Sequence, residues 1–339
     1  MKKTLAIILA LVMVFAIFTL VGCGSSSEET ATVEDTADAV TVAIVVPSGF
    51  GDMSFNDSAK EGAEQLKADL NVDVKYVECG GTEFKQNMMN AAEEAEIVVC
   101  VGWEFWEIEE VVGDYPDTKF IWIDNEAEGQ YDNLLNIIYA QNEGSFLAGY
   151  AAAKMSTTGV IGAVGGEDSI TINDFVVGYK QGAEYANPDI KVEVNYAGTY
   201  DDPAKGKECA LALNSKGADV IFQIAGSTGS GVFQAAQENG FYAIGVDQDQ
   251  KISAPSYDDV IICSMVKQVG TSIYDKVSEY IENGSLAGGT WVADMSNGYI
   301  GLGYGGDDSV QQISDEIKAE VEDLQAQILS GDIVVDTTR

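Results

Sequence analysis

The sequence predicts an α/β protein built as two similar doubly wound lobes around a hinge and cleft. The first observation is an internal repeat. GFGDMSFNDSAKEGAEQL (49–66) is echoed by SITINDFVVGYKQGAEYA (169–186), with Gly62-Ala63-Glu64 over Gly182-Ala183-Glu184 and Phe55 over Phe175. The echo continues where 95–126 runs parallel to 218–249 and sets Asp124 over Asp247. The second observation is pattern. Short uninterrupted apolar runs alternate with amphipathic stretches, which indicates parallel strands covered by helices on both faces. The third is length, since 339 residues suffice for two domains with separate cores. A duplicated strand–helix series gives two related lobes whose strand ends face each other.

In the first lobe, strand 42–46 leads into the Phe55 loop and a helix from about Ser58 to Leu70. Strand 72–78, a helix around Phe84–Glu94, strand 97–102, a helix from about Glu104 to Val112 and strand 120–124 follow. Residues 136–155 read as strand, turn and small-residue helix, and cross to the second lobe. There the order recurs: strand 160–164, helix 174–186, strand 191–197, helix 203–216, strand VIFQIA, helix 231–239 and strand YAIGVD. IICSMV (261–266) and the helix opened by Lys267 are expected to return to the first lobe. The glycine-rich 291–306 crosses once more, and an acidic helix over 311–329 closes the chain. The expected division is lobe 1 at 40–145 and 265–290, and lobe 2 at 146–264 and 291–332. Several crossings make a hinge that permits closure on a ligand.

The first 22 residues carry Lys2 and Lys3 ahead of an uncharged apolar stretch, the form of a secretory signal peptide. The stretch ends LVGC, which resembles a bacterial lipoprotein lipobox, so Cys23 is the expected lipidation site and membrane anchor. Two acyl chains give stable anchoring where one is marginal. An uncleaved transmembrane helix is the alternative. Residues 23–39 read as a flexible acidic tether. The formal charge is −37, histidine is absent, and the single arginine is Arg339. No clustered cation offers a footprint for nucleic acid, and the acidity describes a self-repelling soluble surface. Without histidine or a CxxC pair, a metal site is not expected. Cys100 and Cys263 lie in apolar runs and read as buried small hydrophobes.

Ligands of parallel α/β sheets bind beyond the carboxyl ends of the strands. The loops 47–57, 102–106, 165–175 and 225–231 are therefore the candidate site. Phe55 and Phe175, expected in equivalent loops, could grip a flat ring across the cleft, or each could be a staple on its own helix. Asp124 and Asp247 end equivalent strands, where a carboxylate accepts from adjacent hydroxyls such as those of a ribose, or caps the next helix. Asn56 offers a donor and an acceptor to a heterocycle edge, or caps its own helix. Asp52 and Ser54 share that loop. Trp103 and Phe105 could wall the pocket or belong to the core. Gly226, in GSTGSG, could lend backbone amides at a helix start. The loop lacks the Lys-Ser/Thr of a phosphate cradle. Lys267 is the one cation near the cleft, too little against two carboxylates to welcome a phosphate.

DMSFNDSAKEG, VGWEF, NEGSFLAGYAA, DFVVGYKQGA, YDDPAKGKE, GADVIF, GSTGSGVFQAA, YAIGVDQDQ and SMVKQVGTSIYD resemble, in order, the basic membrane protein family. These are the PnrA-like substrate-binding lipoproteins of ABC transporters. The resemblance spans Val40 to about Asp332. It implies a type I periplasmic-binding-protein fold on the extracytoplasmic face and purine nucleoside capture for an ABC permease and its ATPase. The protein would act as a monomer without catalysis or cofactor. It also implies stacking by Phe55 and Phe175, base binding by Asn56, and ribose contacts from Asp124, Asp247 and Lys267, with backbone from Gly226. Met53 and Asp174 depart from the family pattern beside the pocket. A receptor of the same fold for a sugar or signalling molecule is the alternative. A surface nucleoside hydrolase is a more distant one, because cleavage needs a poised acid or a metal-bound water, and no Ser/His pair or dense aspartate cluster is present.

Overall fold

The computed structural model describes residues 39–338. The signal peptide, Cys23 and all but the last residue of the acidic tether lie outside them. Among the described residues no helix is long and apolar enough to cross a membrane.

The first sheet is assembled from β1 (Val40–Val46), β2 (Val72–Glu78), β3 (Ile97–Val101), β4 (Lys119–Ile123) and β5 (Leu134–Tyr139). The intervening helices are α1 (Phe55–Asp69), α2 (Phe84–Glu94) and the short α3 (Ile108–Val111). Helix α4 (Gln141–Met155) then leads to β6 (Val160–Gly165), α5 (Ile170–Ala186), β7 (Lys191–Tyr196), α6 (Pro203–Ser215) and β8 (Val220–Ile224). The second sheet continues through α7 (Ser230–Asn239), β9 (Tyr242–Asp247), α8 (Gln250–Ser253) and β10 (Ile261–Lys267). The chain ends with α9 (Val269–Asn283), β11 (Gly289–Ala293), β12 (Ile300–Gly303) and α10 (Asp315–Ser330).

The strand orders are β11-β5-β4-β3-β1-β2 and β12-β10-β9-β8-β6-β7. The first sheet is parallel throughout, and in the second only β12 runs antiparallel, against β10. Every residue of β3 and of β8 is buried, which is why their sequences are unbroken apolar runs. Cys100 in β3 and Cys263 in β10 are fully buried, and all four described cysteines are free thiols.

The repeat has a packing reason. A side chain at Gly62 of α1 would collide with the backbone of Gly270 in α9. One at Gly182 of α5 would collide with the backbone of Phe146 in α4. The matched glycines thus let each lobe's first helix lie against a helix delivered by the other half of the chain. Helix α4 follows the last of the first lobe's consecutive strands yet packs on α5; α9 follows β10 yet packs on α1. This exchange ties everything from Ala39 onward into one compact unit.

Three elements differ from expectation. Strand β10 stays in the second sheet through Lys267, since Ile261 to Val266 pair with Ala243 to Asp247 of β9. Only α9 and β11 return, so the exchange falls at Gln268 rather than near residue 265. The helix expected over 104–112 is a 3₁₀ turn (Trp103–Phe105) followed by the one-turn α3. Finally, Phe55 and Phe175 do not occupy equivalent loops. Phe55 opens α1, whereas α5 already starts at Ile170, capped by Ser169 accepting from the Ile172 N–H. In the first lobe Met53 sits at φ 52°, which keeps the preceding loop out of the helix.

Candidate ligand-binding site

The carboxyl ends of both sheets enclose a cavity of about 310 Å³. Of the ten predicted ligand residues, Asp52, Phe55, Asn56, Trp103, Asp124, Phe175, Gly226, Asp247 and Lys267 line it. Ser54 does not. It is buried and donates its hydroxyl to Asp247 Oδ2.

The entry loop before α1 is tied to itself. Asp52 accepts from the backbone N–H of Ser54, Asn56 and Asp57 at 2.9–3.0 Å. Asp57 accepts from those of Gly51 and Met53 at 2.8 Å. Burial pushes the Asp52 carboxyl up to about 6, against the pull of its three amide donors. Asn56 spends its amide nitrogen on the Gly49 carbonyl and the Ser48 hydroxyl, leaving Oδ1 as its remaining hydrogen-bonding atom. Asp52 and Asn56 thus fix the loop's shape as well as lining the cavity.

Asp124, just after β4, and Asp247, the last residue of β9, share the same left-handed conformation, φ 72° and 64°. Neither caps a helix, and Asp249 takes that role for α8. Non-glycine residues in this region are uncommon and mark places where the surroundings over-determine the backbone. Lys267 ends β10, beside Asp247. Its ammonium lies 2.6 Å from Asp124 Oδ2 and 3.8 Å from Asp247 Oδ1, with the side chain 2% exposed. Burial pushes the Asp247 carboxyl up, Lys267 and the Ser54 hydroxyl pull it down, and Asp124 adds a smaller upward push.

The aromatic arrangement is more particular than two facing rings. Both rings converge on the lysine, whose Nζ is 4.7 Å from the Phe55 centroid and 5.2 Å from that of Phe175. Phe175 is 2% exposed and sits edge-on to Phe222 at 6.3 Å, so it belongs to its own core as well as to the cavity wall. Trp103 lines the cavity while Phe105 is wholly buried. Gly226, at φ 53°, opens a 3₁₀ turn whose Thr228 N–H is taken by the Tyr200 carbonyl.

Sequence reasoning passed over Glu104, Glu167, Thr171 and Tyr200, which also line the cavity. The first three fall inside loops already singled out. Tyr200 follows β7, whose carboxyl end the same rule would have flagged. Asp174, expected beside the pocket, instead accepts from Thr337 Oγ1 and the Thr338 N–H, holding the C-terminal segment on α5. Met53 contributes its carbonyl, which accepts from Gln250 Nε2 at 2.9 Å and Ser253 Oγ at 3.2 Å. These bonds, with Ser54 to Asp247 and Thr171 to the Asp124 carbonyl, run from one lobe to the other and hold the cleft closed. Among the described residues no cluster could hold a metal ion.

Known proteins share this architecture. An ABC transporter solute-binding protein from Aeropyrum pernix K1 superposes with a TM-score of 0.78 at 27% identity, over 88% of this chain and 94% of that one. This is the type I periplasmic-binding-protein fold. Basic membrane protein D of Borreliella burgdorferi is 36% identical over 285 residues, covering 81% of this chain and 80% of the relative. The ABC transporter nucleoside-binding protein BmpA of Lactococcus lactis subsp. cremoris is 30% identical across 99% of both chains. A family model for the PnrA-like ABC transporter substrate-binding protein matches residues 39–339. With two lobes closed over a lined cavity and relatives matched nearly end to end, the chain belongs to the PnrA-like family of ABC transporter substrate-binding proteins.

Proposed function

We propose that the protein captures a purine nucleoside in the interlobe cavity and delivers it intact to an ABC permease, from the extracytoplasmic face, tethered through lipidated Cys23. The observation that carries this reading is the arrangement of Lys267 between two equivalent strand-end aspartates, one from each sheet, beside aromatic walls. The carboxylates accept from neighbouring sugar hydroxyls and the ammonium donates to them. Phe55, Phe175 and Tyr200 offer apolar surface to a base. Ligand pockets run from about 300 to 1,000 Å³, so a cavity of about 310 Å³ suits a small solute rather than an oligosaccharide.

Charge narrows the class further. Asp52, Glu104, Asp124, Glu167, Asp201 and Asp247 line the cavity with Lys267 as their single cation. A phosphate there would meet carboxylates with no spare cation, which favours nucleosides over nucleotides. The relative named as a nucleoside-binding protein supports the same class. The protein acts by closure and release, without covalent chemistry. Calorimetry against inosine, guanosine, adenosine, their 5′-monophosphates and free sugars tests the reading. Nucleosides should bind, and monophosphates should be weaker by at least about tenfold. Equal affinity for monophosphates, or binding of free sugars alone, would overturn it.

A further inference from the structure

Two acidic side chains in the cavity have no task in holding the fold. Glu104 lies in the turn after β3, in the first sheet's half, and Glu167 follows β6 in the second. Both line the cavity. The other carboxylates on its wall are committed: Asp52 to three backbone N–H groups, Asp124 and Asp247 to Lys267, Asp201 to the Thr199 hydroxyl. Glu104 is met only by its own backbone N–H. Facing it are the carboxylates of Glu167 and Asp124, the Tyr200 hydroxyl and the Cys79 thiol, and no cation. Gly102 makes room for it, because a side chain there would collide with the Glu104 carboxylate and the backbone φ of 121° suits glycine. The buried indole N–H of neighbouring Trp103 faces the Tyr200 hydroxyl, so it is directed away from Glu104.

We propose that Glu104, opposed by Glu167, reads the hydrogen-bonding edge of the bound base and makes the preference between adenosine and guanosine depend on pH. The inference rests on the nucleoside reading given above. An ionised carboxylate is an acceptor only, with two oxygens side by side. It matches guanine, whose N1–H and exocyclic amine are adjacent donors. A protonated carboxyl presents one O–H donor and one acceptor. It matches adenine, whose N1 accepts and whose amine donates. Burial, then the charges of Glu167 and Asp124, push the Glu104 carboxyl up to about 7, so both forms occur near neutrality. A mismatch leaves a buried group unpaired, the kind of error a hydrogen-bonding pocket rejects most strongly.

The test measures guanosine and adenosine affinity for the full chain at about pH 5.5 and about pH 8, on either side of the shifted carboxyl. The guanosine-to-adenosine preference should rise by about tenfold or more with pH. Glu104→Gln fixes one donor and one acceptor, which fit adenine's N1 and amine and guanine's O6 and N1–H alike, so it should abolish the rise in guanosine preference with pH. Glu167→Gln removes the opposing charge and should move the midpoint of the switch to lower pH. A preference that is flat with pH in the unmodified protein overturns the inference, as does a Glu104→Gln protein that keeps the unmodified pH dependence. Should Glu104→Gln fail to fold, the unmodified profile and Glu167→Gln decide. If Phe55→Ala weakens both nucleosides while the preference stays flat, the nucleoside site stands and the base-edge role falls. If neither nucleoside binds, both fall together.

Discussion

The stretch entering α1 and the stretch entering α5 descend from one pattern but do different work. In the second lobe, residues 166–169 turn directly from β6 into a helix capped by Ser169. In the first, residues 47–54 form a longer loop, cross-tied by Asp52 and Asp57 and interrupted by the left-handed Met53. That loop sends the Met53 carbonyl to Gln250 and Ser253, and the Ser54 hydroxyl to Asp247. The repeated part supplies the scaffold, and the unrepeated part grips the opposite lobe. Lys267 belongs to neither copy. It arrives on the strand where the chain leaves the second sheet, and it breaks the pseudo-symmetry of Asp124 and Asp247.

The largest test of that asymmetry is Lys267→Met. Removing one partner of a buried ion pair costs about 3–5 kcal/mol, because the remaining charge is left uncompensated. Chemical denaturation should show a loss of that size, and adding Asp124→Asn should return part of it. A neutral Lys267→Met would mean the two aspartates are not held by the lysine. The two phenylalanines should then separate by lobe. Phe175→Ala empties a core position and should destabilise by about 3–5 kcal/mol. Phe55→Ala should spare stability and weaken nucleoside binding by about 1–3 kcal/mol, the worth of one stacking contact. Equal stability losses would make the two rings equivalent after all.

Much of this was legible. The apolar runs named the strands because parallel strands are buried on both faces, and the duplicated Gly-Ala-Glu marked the two helices that need close backbone approach. The strand-end aspartates and Lys267 were legible because ligands of such sheets collect at those ends. What escaped were features set by the third dimension. Nothing local in IICSMV says which sheet it joins; that depends on its register against β9. Asp174 reads like a pocket residue until the C-terminal segment is seen folded back on it. Glu104 looked like the opening of a helix, whereas the glycine before it turns it into the cavity. Tyr200 lay beyond a strand whose end had not been counted.

Ser54→Ala is a smaller intervention on the same comparison. It deletes one hydrogen bond from the first lobe's loop to a buried carboxylate, worth about 1–2 kcal/mol. Because Lys267 stays in place, the loss should appear as faster ligand release with little change in unfolding. A large loss of stability would show that the loop supports the fold as well as closure.

The smallest expected effect separates the lobes by acidity. Asp52 in the first lobe is raised on folding, so its contribution to stability is complete below about pH 4 and is lost as pH climbs through its folded value of about 6. Asp219 in the second lobe behaves oppositely. Desolvation pushes it up, but hydrogen bonds from the Ser156 hydroxyl, the Thr157 N–H and hydroxyl and the Thr158 N–H outweigh that, and the net shift is downward. Its contribution is present above the ordinary aspartate range and is lost as pH falls through its lowered folded value. Native-state hydrogen exchange, corrected for intrinsic rates, should therefore show amides around the α1 entry loop better protected at about pH 5 than at about pH 7.5, across the raised carboxyl. Amides around 156–160 should lose protection only at the acidic end. Identical pH trends would mean that the two carboxylate ties answer to the whole protein's charge rather than to their own surroundings.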